Sequence, residues 1–134
     1  MPNWIFNQLC LSGNKEELLK FYEENVNKKN YLDFELSVPT DNPIDDWGTK
    51  WNATYCSYPE NYEVITLPSN DNDNILEFEF KTAWYPPYKY IETVSKKYNN
   101  IEFELSDYKS SITYKNGSII DEIMYSDTDD SESE

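Results

Sequence analysis

The residues best able to do chemistry in this chain are tryptophans beside lysines, and carboxylates beside one another. Trp47-Gly48-Thr49-Lys50-Trp51 sets a cation between two indoles, a spacing that suits a cation–π contact or a ligand-gripping cleft. The competing account is plain burial, since Trp is well buried on average. Gly48 then permits a tight approach and Lys50 points to solvent; the sequence favours this account. Trp84-Tyr85-Pro86-Pro87-Tyr88 reads either as a polyproline-type recognition surface or as a strand-to-helix corner. The corner is the stronger reading, with Pro87 as the first helical residue, because proline is pre-organised for that position. The candidate cleft is therefore lined by Trp47, Lys50, Trp51, Trp84, Tyr85 and Pro87.

Paired acids are abundant: Asp45-Asp46, Asp71 with Asp73, Glu77 with Glu79, and Glu102 with Glu104. Two acids at i and i+2 on a strand share a face and can hold a hard cation. Asp71-Asn72-Asp73-Asn74 lacks the glycine and the distal Glu of a calcium loop. With no histidine and no third ligand nearby, the pairs read as solvated acidic faces, with neither metal nor cofactor. Acid–base catalysis requires two carboxylates converging in a pocket, which spacing alone does not establish.

The chain has 134 residues, with 11 basic against 26 acidic side chains and a net charge of −15. Every basic residue is a lysine; there is no arginine and no histidine. The usual neutral-pH proton shuttle is missing, and so is the bidentate clamp for phosphate. The acidic balance opposes direct binding of nucleic acid, which rests on neutralising phosphates. An enzyme is not expected. No apolar run approaches the ~20 residues that span a bilayer, and Met1-Pro2-Asn3-Trp4 opens with no signal-like pattern. Cys10 and Cys56 lack metal spacing and read as reduced, structural thiols of a cytoplasmic protein, a virion being the other setting.

The acid is unevenly spread. Ser126–Glu134 holds Asp127, Asp129, Asp130, Glu132 and Glu134 and no apolar residue, which predicts a disordered acidic tail beyond a domain of residues 1–125. Ser126 and Ser131 each precede an acid by three residues, the pattern favoured by acidophilic kinases, and phosphorylation there would deepen the charge. Such an arm either steers a basic protein partner or serves as a solubilising terminus.

The elements that must position these residues follow from periodicity. Ile5, Asn7, Leu9 and Leu11 share one face of a first strand, and Trp4, Phe6 and Cys10 the other, as in a central strand. Asn14 and Glu17 form a capping box that opens a helix reaching to about Asn27. Leu32, Phe34 and Leu36 suggest a short extended piece, and Pro39–Asp46 an irregular loop. Thr49–Tyr58 reads as a second strand that carries Trp51, Ala53 and Tyr55 on one face. Tyr62–Leu67 continues as strand, and Pro68–Asn74 is a polar loop. Leu76, Phe78 and Phe80 alternate with glutamates in the clearest strand. A helix follows with Ile91, Val94 and Tyr98 inward, then a strand with Ile101, Phe103 and Leu105. Asn116-Gly117 signals a type I′ hairpin. The order predicts an α+β, ferredoxin-like βαββαβ sandwich: an antiparallel sheet with two helices on one face, plus a C-terminal β-hairpin extension. Ferredoxin-like sheets with exposed aromatics can stack RNA bases, and Trp4, Phe6 and Tyr55 are placed for it, yet the charge opposes that use.

Met1-Pro2-Asn3-Trp4 with Asn7 and Gly13, then Trp47-Gly48-Thr49-Lys50-Trp51-Asn52, then Thr82-Ala83-Trp84-Tyr85-Pro86-Pro87, resemble the Api92-like ferredoxin-like domain family. The resemblance spans roughly Met1–Tyr125, with the acidic tail outside it. It implies the same fold and a setting on phages, plasmids or viruses, and it carries no mechanism. The lysine-, asparagine-, isoleucine- and tyrosine-rich composition fits an AT-rich genome. Together these readings point to a non-catalytic acidic module that engages a basic or nucleic-acid-handling protein electrostatically. The alternatives are a small-ligand or enzymatic domain using the Trp-rich cleft, and a virion or assembly component; the oligomeric state stays open.

Overall fold

The computed structural model describes residues 3–28, 31–56 and 73–125. Strand β1 (Trp4–Asn14) is followed by helix α1 (Lys15–Asn25), the short helices α2 (Phe34–Ser37) and α3 (Pro43–Trp47), and strand β2 (Asp73–Ala83). Helix α4 (Tyr88–Lys97), strands β3 (Glu102–Ser106) and β4 (Ser110–Lys115), and strand β5 (Ser118–Met124) complete the order. The five strands form one sheet in the order β2-β1-β3-β4-β5, every neighbouring pair antiparallel. Strands β2 and β3 flank β1 on either side, joined by α4, so β1 lies at the centre as its two apolar faces predict.

Register explains which face is covered. Leu11 sits opposite Leu76 and Phe103, Leu9 opposite Phe78 and Leu105, and Asn7 opposite Phe80. These residues and Tyr114 and Ile112 on β4 are buried together with Leu18 and Phe21 of α1 and Ile91 and Val94 of α4. Both longer helices thus cover one face of the sheet. Asn14 caps α1 by accepting the Glu17 N–H at 2.9 Å, and α1 ends two residues before the expected Asn27. Asn116 (φ 52°) and Gly117 (φ 81°) make the type I′ turn between β4 and β5, and the Gly117 N–H donates to Ser95 Oγ on α4 at 2.9 Å. Asp107 shapes the β3–β4 turn, its carboxylate accepting the N–H groups of Lys109 and Ser110.

Several expectations need correction. Phe34 and Leu36 lie in helix α2, not in an extended piece; Asp33 caps it, accepting the Glu35 N–H at 3.1 Å, and only Leu32 bridges, to Val26. Pro39–Asp46 is not all loop, because Pro43 opens α3 and Gly48 closes it in a left-handed conformation. Pro87 is the residue before α4 rather than its first residue. Thr49–Cys56 is not a strand, since its ladder pairing is the single bridge Thr54–Lys81 and Tyr55 turns to φ 50°. The full βαββαβ order therefore differs from what is described. Tyr58, Tyr62–Leu67, the greater part of Pro68–Asn74 and the tail 126–134 lie outside the described residues, as do Ser126 and Ser131. Among the described residues no helix is long and apolar enough to cross a membrane.

Gly48 has a specific task. A Cβ there would lie 3.2 Å from Lys89 N and 3.4 Å from Tyr88 N, at the start of α4, and the residue has φ 82°. Gly48→Ala is expected to cost about 1–2 kcal/mol from the left-handed backbone alone, more with the clash. Urea unfolding measures it; an unchanged midpoint would show that α3 and α4 tolerate separation.

Candidate functional site

The face of the sheet away from the helices carries Trp4, Phe6, Gln8, Cys10 and Ser12 from β1. Phe6 pairs with Lys81, and Trp4 with Ala83, at one end of the sheet. The segment Thr49–Cys56 lies against this end and is fastened at Thr49, Asn52 and Thr54. The Thr49 hydroxyl donates to the Ala83 carbonyl at 2.7 Å. Asn52 accepts the Phe34 N–H at 2.9 Å and donates to Asp33 at 2.8 Å. Thr54 exchanges two backbone hydrogen bonds with Lys81, at 3.0 and 2.7 Å. The anchors face inward, which leaves Lys50, Trp51 and Tyr55 outside.

Strand β2 stops in a strained turn. The Tyr85 N–H donates to the Ala83 carbonyl at 2.8 Å around Trp84, whose φ is 66°. This is the positive-φ kind of γ-turn, rare for a bulky residue. It is held by the Trp84 N–H donating to Asn3 O at 2.7 Å and the Thr82 hydroxyl donating to Tyr85 O at 2.6 Å. Asn7, fully buried, donates to Thr82 Oγ1 at 2.9 Å, tying the turn to the central strand. Tyr55 and Trp84 are thus two non-glycine residues in left-handed backbone, each costing about 1–3 kcal/mol, and both present a ring outward.

The result is a ladder of rings, exposed except at the half-buried Trp4. Trp4 meets Tyr55 edge-on at 5.4 Å and Trp51 at 5.9 Å, and Trp51 meets Trp84 at 6.0 Å. Trp51 is 44% exposed, Trp84 38%, Tyr55 67% and Phe6 53%. Lys50 Nζ stands 5.7 Å from the Trp51 ring and 5.4 Å from the Trp84 ring, and Lys81 Nζ 5.1 Å from the Tyr55 ring. Each distance is within cation–π range.

The expected cleft is only partly assembled. Lys50, Trp51 and Trp84 come together, and Tyr85 is exposed after the turn. Trp47 does not join them: it is 3% exposed, packs on Phe34 at 5.4 Å and donates its indole N–H to Val38 O at 2.8 Å. Pro87 is buried at the start of α4. Burial therefore holds for one indole of the pair and fails for the other. Trp4, Tyr55 and Lys81 were outside the expected cleft. The signal for Trp4 was present, since an aromatic on the second face of a strand whose first face meets the helices must face outward.

Beyond the rings, the same face becomes acidic. One row across the strands reads Glu77, Cys10, Glu104, Thr113 and Asp121, and Glu79 stands beside Gln8 in the next. Burial, and then the charges of Glu77 and Glu104, push the Cys10 thiol up to about 11. Burial, and then Asp33, does the same for Cys56. Both thiols stay protonated at neutral pH, unlike reactive cysteines. A depression of about 260 Å³ lined by Phe6, Gln8, Ser106, Asp107, Tyr108 and Tyr125 borders these rows. Among the described residues no group of three acidic, histidine or cysteine side chains is arranged to hold a metal ion.

A family model described as a ferredoxin-like domain in Api92-like protein matches residues 61–134. The match takes in the acidic tail, and it leaves the motifs at Trp4 and Trp47 outside. No curated protein and no solved structure matches the chain.

Proposed function

We propose, for a chain that belongs to the family of ferredoxin-like domains in Api92-like proteins, a non-catalytic role: it binds a basic protein partner across the open face of its sheet. The observation that carries this reading is the layout of that face, where Glu77, Glu104 and Asp121 line one row and exposed rings stand at its end. Carboxylates and ring faces both attract cations, and the net charge of −15 extends that attraction beyond contact. The arm at Asp127, Asp129, Asp130, Glu132 and Glu134 adds to the same field. A setting inside a host cell, on a virus or mobile element, belongs to this reading.

A basic peptide of defined sequence, titrated against the full chain, tests it. Glu77→Lys with Glu79→Lys is expected to weaken binding by about tenfold, the value of one or two lost charge contacts, and added salt to weaken it further. Binding that ignores both salt and the double substitution would overturn the reading. A rival use of the ring ladder for a small neutral ligand predicts a complex that neither change disturbs.

A further inference from the structure

We propose that the Trp51–Trp84 pair is a seat for an arginine side chain of the partner, occupied in the free protein by Lys50 acting as an internal competitor. This rests on the binding role above and names the chemistry that is recognised. Lys50 Nζ lies near the centroids of two exposed rings at once, 5.7 Å from Trp51 and 5.4 Å from Trp84, so the two ring faces converge on one point where a cation already sits. Exposed cation–π contacts are weak, and a flexible lysine holding one is readily displaced. Guanidinium is planar and more weakly hydrated than ammonium, and it stacks on aromatic faces, so an incoming arginine gains more from the same rings than Lys50 does.

The seat is built, not a chance meeting of surface groups. Trp84 is held in its left-handed turn by Asn3, Thr82 and, through Thr82, the buried Asn7. Trp51 is flanked by the anchors Thr49 and Asn52. Lys81 repeats the arrangement on Tyr55, at 5.1 Å, one step along the ladder. Next to Lys81 and Phe6 the face passes to Glu79 and then to Glu77 and Glu104. A segment with spaced arginines can therefore place one guanidinium on the rings and others on the carboxylates. The chain itself has no arginine, so no residue of its own competes on equal terms.

The test uses the full chain and three peptides of one length, with repeated Arg-Gly, Lys-Gly and citrulline-Gly, followed by tryptophan fluorescence and titration calorimetry at low salt. The arginine peptide is expected to bind tightest and the neutral citrulline peptide not to bind. Lys50→Ala removes the competitor and is expected to tighten the arginine complex about two- to fivefold, the size of one exposed cation–π contact. Trp51→Ala is expected to weaken it by a similar factor, with the thermal midpoint confirming that this exposed position leaves the fold intact.

Equal binding of the lysine peptide, or a Lys50→Ala variant that binds no better, overturns the proposal. If glutamate substitutions weaken the complex while Lys50→Ala and Trp51→Ala leave it unchanged, the acidic face binds and the arginine seat is wrong. If neither cationic peptide binds, both readings fall. An oligothymidylate control that binds the chain and is weakened by Lys50→Ala would instead make the ladder a nucleic-acid surface, which also overturns the proposal.

Discussion

Phe34→Ala is expected to remove about 3–5 kcal/mol of stability, a large share of the ~5–15 kcal/mol that holds a typical domain. Phe34 is fully buried and stacks on Tyr90 at 4.2 Å, with Trp47 at 5.4 Å and Phe80 at 5.8 Å packed edge-on around it. Truncation leaves those three rings around a cavity. Beneath them Ser37 links the Asn25 amide oxygen to the Tyr90 hydroxyl, so a shift of α2 also disturbs a buried polar network. Phe34→Leu keeps apolar volume and loses the ring contacts, with an expected loss of about 1–2 kcal/mol. Urea unfolding monitored by circular dichroism separates the two. An alanine variant that loses less than about 1 kcal/mol would show that the site relaxes or that α2 is not fastened to the core.

The second large effect is alkaline unfolding. Burial holds the phenols of Tyr98 and Tyr114 up to about 12, and raises those of Tyr88 and the fully buried Tyr90, against an ordinary value of 10. Burial likewise holds Cys10 and Cys56 at about 11 against 9. The folded state thus keeps protons that the unfolded chain releases. Stability from these groups is complete below about pH 9 and falls as pH rises through the window from 9 to 12. A group held fully protonated contributes a loss of up to ~1.4 kcal/mol per pH unit, and several act together. The expected result is cooperative loss of helical signal between pH 10 and 12, with tyrosinate absorbance rising in the same transition. Tyrosinate formation at Tyr90 and Tyr98 while the fold persists would refute this account.

What the sequence made legible follows a physical division. The period-two pattern of β1, β2 and β3, the Asn14 cap and the Asn116-Gly117 turn are local signals, and the structure has each of them. The segment between α1 and β2 carries no such local signal, because its structure answers to distant partners. Phe34 begins a helix because Asp33 caps it and because Trp47, Phe80 and Tyr90 surround it; its own neighbours alternate like a strand. Trp51 and Trp47 look alike in sequence, and what separates them is Thr49, whose hydroxyl reaches Ala83 across 34 positions. The ladder was hidden for the same reason. Trp4, Trp51, Tyr55 and Trp84 come from three separate stretches, and the left-handed turns that aim two of them leave no mark on residue type.

The far side of the sheet brings a different problem of coexistence with other molecules of the same kind. Among the described residues strand β5 is the outer strand next to β4, exposed along its whole length, with Ile119, Ile120, Ile123 and Met124 open to solvent. A bare strand of this composition invites another chain to extend the sheet. Two features oppose that. The register slips where Thr113–Asp121 gives way to Tyr114–Ile119, leaving Ile120 as an extra residue that breaks the regular backbone spacing. Asp121 and Glu122 then place like charges where a second copy would have to lie. The carboxylates of Asp121 and Glu122 thus act as gatekeepers of this edge, opposing the use of the hairpin as a template for sheet growth.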